Sequence, residues 1–385
     1  IRIRETATMN KEPEINERTP WWKVDNEGEI PSPALLVYPE RVQENIERMI
    51  RIAGDLSRLR PHIKTHKLPE IVWMQMTAGI TKFKCATIAE AEMALDCGVT
   101  DLLLAYQPVG PNIERLRTLI RRFPQADVSV VVDDPGVVGS LSGAFGSEDS
   151  PLEVLIDIDC GMNRTGIAPG PEAVALYRSI SEMPGLTPGG LHAYDGHIGQ
   201  SDLAERTRVC DAAFAGVTRL RDDLISAGLP VPRLVAGGTP TFPIHARRDG
   251  VESSPGTCLF WDAGYAAKLP DMDFLVAALV FTRVVSKPGG NRLCLDLGHK
   301  AVAAENPHPR VEWPGLSDAR STLQSEEHLV LETEEADRFK VGDGFYGIPR
   351  HICPTVALHS RAWVIENGTV AGFWKVTARE RIITV

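Results

Sequence analysis

Short, β-branched apolar runs alternate with amphipathic segments along most of this chain, and that alternation constrains its fold more than any other feature. The runs are RPHIK, FKCAT, DLLLAY, VSVVV, EVLIDID, GLHAY, RLVAGG and ESSPGTCLF. Between them lie TIAEAEMALDCG, NIERLRTLIRRF, PEAVALYRSISEM and ERTRVCDAAFAGVTRLRDDLISAG, where apolar residues recur every three or four positions. That spacing is helical, whereas the short runs read as buried strands. Strands alternating with helices predict a parallel sheet. Eight such units fit a closed (β/α)8 TIM-type barrel better than an open sheet, although a doubly wound sheet gives much the same pattern. A further strand, Ala34 to Tyr38, precedes a helix that starts at Pro39 and places Val42, Ile46 and Met49 on one face. It is one strand too many for the barrel and is expected either there or in a second domain.

The texture changes after Asp262. FLVAALVFTRVVSKPGGNRLCLDLG, HLVLETEE, FKVGDGFYGIP and RAWVIENGTVAGFWKVTARERIITV read as strands joined by Gly- and Pro-containing turns, without a long helix. The expected organisation is a polar N-terminal extension over 1–27, a barrel over 28–262 and a mostly antiparallel β-domain over 263–385. With 43% hydrophobic and 24% charged residues, the chain can bury a sizeable core. A net charge of -10 disfavours a nucleic-acid binder, which needs a concentrated basic face. Seven scattered cysteines, an odd number, argue against a disulfide framework and for a reducing, cytoplasmic setting. No apolar run is long enough to span a bilayer, and the first residues lack the apolar middle of a signal peptide, so no membrane partner is expected.

In a barrel, functional groups gather at the C-terminal ends of strands. Lys64 in RPHIKTHK stands at such an end, where a desolvated amine can form a Schiff base with an aldehyde. The plain alternative makes Lys64, His66 and Lys67 loop charges in water. In EVLIDIDCGMNRTG, Arg164 follows a strand end and its planar fork could hold a phenolate or carboxylate, or be a surface charge. Asp157 and Asp159 share a strand face, so either could pair with Arg164. LVAGGTPTF brings Gly237, Gly238 and Thr239 to the start of a helix expected near 241–248, a place for a phosphate or an ordinary turn. Gly256 and Thr257 of SSPGTC could close the same cup. HAYDGHIGQ supplies Tyr194, Asp195 and His197, able to position a ring or shuttle a proton, while His192 reads as a satisfied core histidine. In GIPRHICPTVALH, His351 and Cys353 are two apart, so on an extended strand both leave one face and could chelate a borderline-soft ion. As a bare pattern, H-x-C is common and carries little weight.

Taken in order, these pieces resemble the metal-activated, pyridoxal-phosphate enzymes of the alanine racemase-like barrel, in particular the D-threonine aldolase and D-serine dehydratase group. The resemblance covers nearly the whole chain, from PSPALLVYPERVQENIERM to WKVTARE. It implies that RPHIKTHK carries the Schiff-base lysine, at Lys64 and not Lys67. It places Arg164 beside the cofactor's phenolic oxygen, and Gly237, Gly238, Thr239, Gly256 and Thr257 at its phosphate. Tyr194 and Tyr265 are further cofactor neighbours, and HICPT carries the metal ligands His351 and Cys353. Two departures bear on the reaction. Cys353 is more similar to the dehydratase branch, whereas some aldolases carry an acid there. A related aldolase pattern has histidine after the tyrosine, where this chain has Asp195, with His197 two residues on.

The implied activity is cleavage of D-β-hydroxy-α-amino acids to glycine and an aldehyde, with pyridoxal 5'-phosphate and a divalent metal (Zn, Mn or Co) as cofactors. Lys64, His197 and Asp195 are the expected catalytic residues. The implied alternative is a D-serine or D-3-hydroxyaspartate dehydratase giving an oxo acid and ammonia. An amino-acid racemase or a non-catalytic pyridoxal-phosphate carrier fits less well, because neither needs the H-x-C pair. The resemblance also implies a homodimer.

Overall fold

The structure is a computed structural model and describes residues 20–385. Residues 1–19 of the expected N-terminal extension lie outside the described residues. Seven parallel strands form one sheet in the order β2 (Lys82–Cys85), β3 (Asp101–Leu104), β4 (Asp127–Val132), β5 (Leu152–Ile158), β6 (Leu186–Ala193), β7 (Leu234–Ala236) and β8 (Val251–Ser253). Residues 59–62 close the ring without forming a full strand. Arg60 N donates to Ser253 O at 2.9 Å and His62 N to Pro255 O at 2.8 Å, while Lys84 N donates to Pro61 O at 2.9 Å. Pro61 lacks an N–H, which explains why this eighth member is irregular.

The helices of this half are α1 (Pro39–Ala53), α2 (Pro69–Thr77), α3 (Ile88–Asp96), α4 (Pro111–Arg122), α5 (Pro135–Phe145), α6 (Pro171–Glu182), α7 (Leu203–Ser226), α8 (Phe242–His245) and α9 (Ala263–Lys268). Proline opens several of them, where a missing N–H costs nothing. Val42, Ile46 and Met49 of α1 are fully buried, and Gly54 ends that helix at φ 71°. The helix expected near 241–248 is shorter: α8 is a single turn followed by Ala246 and irregular backbone. Leu103, Val131, Leu155 and Val235 form an apolar plug inside the barrel.

The second sheet runs β12 (Arg320–Gln324), β13 (Leu329–Glu332), β10 (Arg292–Leu295), β9 (Ala278–Gly289), β1 (Ala34–Val37), β15 (Arg361–Glu366) and β16 (Thr369–Lys375). A further arm adds β14 (Gly344–Pro349) to β9 and β11 (Val311–Glu312) to β14. The early strand β1 therefore lies in this sheet, antiparallel to β9 and parallel to β15. HICPTVALH differs from its reading as a strand, since Ile352–Leu358 forms a helix, α10. Pro354 is its third residue, a first-turn position that proline tolerates. Among the described residues, no helix is long and apolar enough to cross a membrane.

Candidate active site at the barrel mouth

Residues 60–67 are sorted by environment. Arg60 is fully buried and bonded to Asp101 and Glu252, each at 2.6 Å. His62 accepts from Lys64 N through Nδ1, and burial, then the charges of Lys64 and Lys84, holds its imidazole neutral. Burial likewise lowers His66 to about 3, and its Nδ1 accepts from Leu68 N at 3.2 Å. Lys67 is not the loop charge in water of the plain alternative; at φ 56° it turns back to pair with Glu90. Lys64 and His62 border the open space at the mouth, Lys64 from a 3-10 turn that follows the closing segment.

That space is a cavity of about 500 Å³ whose walls include Lys64, Lys84, Arg164, His192 and Tyr194. Tyr194 is its centrepiece: Arg164, Lys64 and Lys84 have their cationic groups 5.1, 5.4 and 5.9 Å from its ring centroid. Neither Asp157 nor Asp159 pairs with Arg164. Asp157 accepts from His192 Nδ1 at 2.7 Å and from Thr165 Oγ1 at 3.0 Å. Asp159 instead caps its own loop by accepting from Gly161 N and Asn163 N. Burial alone would raise Asp157, but the His192 contact outweighs it and holds the carboxyl below its usual range.

The two glycine-containing turns meet. Thr239 Oγ1 accepts from Gly256 N at 3.2 Å and from Thr257 N at 3.1 Å, tying the end of β7 to the end of β8. Gly237 takes φ 75°, which only glycine adopts at little cost. A Cβ at Gly238 would come within 3.0 Å of the Tyr194 ring, and one at Gly256 within 2.8 Å of His62 O. Ser254 Oγ, in the same segment, is buried without a partner. A primary amine at the cavity wall, a cation beside an aromatic floor and a glycine-lined turn with an orphaned hydroxyl fit an aldehyde-bearing ring with a phosphate tail.

Across the mouth stands α10. Cys353 Sγ lies 3.3 Å from Thr65 Oγ1, the neighbour of Lys64, and 3.4 Å from Thr257 Oγ1. His351 is the N-cap and Cys353 the second helical residue, so they are adjacent at a helix start instead of alternating on a strand. Burial works against a charged His351, yet its bond to Cys353 and the contact with Glu305 at 2.5 Å raise it to about 9. Burial also opposes the Cys353 thiolate, and the His351 contact wins and lowers the thiol. A histidine and a cysteine side by side fit a borderline-soft divalent ion that displaces their protons, with coordination positions left over. A second cavity of about 650 Å³ is bordered by Lys64 and Cys353 together.

Two residues unnoticed in the sequence position this pair. Asp262 accepts from Tyr265 N at 2.9 Å and from Ile352 N at 3.0 Å, so one buried carboxylate caps both α9 and α10. Glu305 braces His351 from a loop of the second sheet. Tyr265 stacks on Trp261, with ring centroids 5.7 Å apart; burial, then Tyr194 and Cys353, pushes its phenol up.

Asp195 departs from its expected catalytic place. It is 4% exposed, and its carboxylate accepts from Thr241 Oγ1 at 2.7 Å and meets His245 Nε2 at 2.8 Å. Cys210 Sγ completes a buried cluster 3.4 Å from the same nitrogen. This cluster lies behind Tyr194 and braces the turn at Gly237, whose Cβ would meet His245. His197 is exposed, and its imidazole lies over Gly161, in the loop of Arg164.

The chain belongs to the alanine racemase family of barrel proteins: the model described as "Alanine racemase, N-terminal domain" matches residues 37–263. A serine dehydratase domain model matches residues 277–365. The chain is 30% identical to a D-threonine aldolase of Arthrobacter sp over 83% of its own length and 85% of that protein's. It is 28% identical to a D-threo-3-hydroxyaspartate dehydratase of Delftia sp., covering 85% of this chain and 92% of that one. The crystal structure of a D-threonine aldolase from Filomicrobium marinum superposes with a TM-score of 0.85 at 29% identity, over 92% of this chain and 96% of that one.

Proposed function

We propose that this protein is a lyase that cleaves D-β-hydroxy-α-amino acids to glycine and an aldehyde, with pyridoxal 5'-phosphate and a divalent metal as cofactors. The observation that carries the reading is the place of Cys353, whose sulfur touches the hydroxyl next to Lys64. An amine suited to the aldehyde and a donor pair suited to a metal therefore border one cavity. When bound, the cofactor supplies the electron sink for the bond broken at Cα. Lys64 would hold its aldehyde carbon, Arg164 its ring oxygen, and Gly237, Gly238, Thr239, Gly256 and Thr257 its phosphate, with Tyr194 and Tyr265 as walls. His351 and Cys353 would hold the metal, whose charge would lower the pKa of the substrate's β-hydroxyl. Zinc suits the thiolate by softness, and manganese or cobalt can fill the same positions.

His197, beside the loop that carries Arg164, takes the β-hydroxyl proton at its imidazole. Asp195 acts at one remove, because its carboxylate anchors His245 and Thr241 behind Tyr194 and so fixes the ring that floors the cavity. Dehydration to an oxo acid and ammonia is the second reading. Cys353 favours it, and the Delftia relative carries out such a reaction by name. Incubating the holoenzyme with D-threonine and identifying the products separates the two. Glycine with acetaldehyde is expected; 2-oxobutyrate with ammonia would replace the aldolase by the dehydratase, and neither pair would overturn both.

A further inference from the structure

Lys84 has no part in the reading above, yet it faces the same cavity. It projects from β2 into the barrel, is 1% exposed and lines the cavity with Lys64, His62 and Tyr194. Its Nζ makes one hydrogen bond, to His192 Nε2 at 3.4 Å. Because His192 Nδ1 donates to Asp157 Oδ1 at 2.7 Å, Nε2 is left as an acceptor, so Lys84 is the donor. The chain of contacts runs on from Asp157 to Thr165, beside Arg164. Among the described residues, the remaining N–H groups of Lys84 have no partner. A buried amine without a carboxylate against it is costly to keep, and one held rigidly by a neutral imidazole with spare donors turned to a cavity is set up to meet a ligand.

We propose that Lys84 is an anion-binding group of the cavity, alongside Arg164, and that its free N–H groups donate to an anionic oxygen of the bound cofactor or of the substrate. The two sources share the chemistry of a carboxylate or phenolate oxygen. The inference rests on the reading of the cavity as the cofactor and substrate site. The charged and titratable groups around Lys84 are Arg60 and His62 from the closing segment, Lys64 from the turn after it, Asp157 from β5, and His192 and Asp195 from β6 and the loop after it. Arg164 also stands over the shared Tyr194 ring. Burial, then the charge of Lys64, lowers Lys84 to about 7, so the donor's charge is gained or lost with modest changes in pH.

The test is Lys84→Met, which keeps the length of the side chain and removes its charge and donors. Three readouts are taken on purified protein: thermal midpoint, cofactor dissociation constant by absorbance titration without substrate, and KM with kcat. A hydrogen bond to a charged group predicts an affinity loss of about tenfold or more. If the oxygen is the cofactor's, the dissociation constant rises; if it is the substrate's, that constant holds and KM rises. The midpoint should stay or increase, since replacing a buried charge by an apolar group of similar volume is neutral or stabilising. A purely structural lysine would give the reverse, a lower midpoint with both constants unchanged, and constants within about twofold of the parent overturn the proposal. Should the Met variant fail to fold, Lys84→Gln, which keeps a donor for His192, is read in the same way. Lys64→Ala is run in parallel: a visible cofactor band that survives it refutes the reading of the cavity, whatever Lys84 does.

Discussion

Lys64 is set apart from its neighbours by surroundings, not by residue type. Arg60 is tied to two carboxylates, His62 and His66 are neutral through burial, and Lys67 pairs with Glu90. The sequence shows a cluster of basic groups and leaves their environments open, because burial depends on strands far away in the chain. Lys84 makes the same point from the other side. In FKCAT it reads as one charge in an apolar strand, and only closure of the barrel turns it inward. Its buried position has a measurable consequence. A lysine lowered from 10.5 to about 7 binds fewer protons folded than unfolded between those values. Its penalty to folding is therefore fully present below about pH 7 and relieved as pH rises, by up to about 1.4 kcal/mol per pH unit. Urea denaturation of the cofactor-free protein across that range, compared with Lys84→Met, should show the parent gaining stability relative to the variant. A pH-independent difference would contradict the buried placement.

At the scale of elements, strand positions and helix faces were legible because burial period and capping are local. Val42, Ile46 and Met49 mark the inner face of α1, and Thr87 caps α3 by accepting from Glu90 N at 3.1 Å. HICPTVALH was misread because its helix is held by a remote partner, Asp262, which no local pattern announces. That carboxylate caps α9 and α10 at once, so Asp262→Ala should cost about 2 kcal/mol, about 1 for each cap. It should also weaken metal binding by loosening His351 and Cys353. Denaturant titration and metal titration on the variant check both effects, and unchanged metal affinity would show that α10 holds its geometry without the cap.

Across the whole molecule, the barrel is locked at the end opposite the site and open at the mouth. Arg60, Asp101, Lys82, Glu153, Arg233 and Glu252 form a continuous ion-pair network over the starts of the strands and the closing segment. Arg60→Ala leaves Asp101 and Glu252 with reduced compensation and should destabilise the fold by about 3 kcal/mol. Denaturant unfolding measures this, and a loss below about 1 kcal/mol would place closure elsewhere. At the mouth, the second sheet delivers α10 against the turn that carries Lys64, with Cys353 between Thr65 and Thr257. The alternation of strands and helices foretold the barrel, whereas this meeting of residues nearly 290 positions apart could be seen only in three dimensions. The central claim is that amine and metal pair serve one reaction in separate roles. Chelating the metal from the holoenzyme and following turnover of D-threonine together with the visible cofactor band tests it most directly. Loss of turnover with the band retained is the predicted result, and turnover that survives complete metal removal would contradict it.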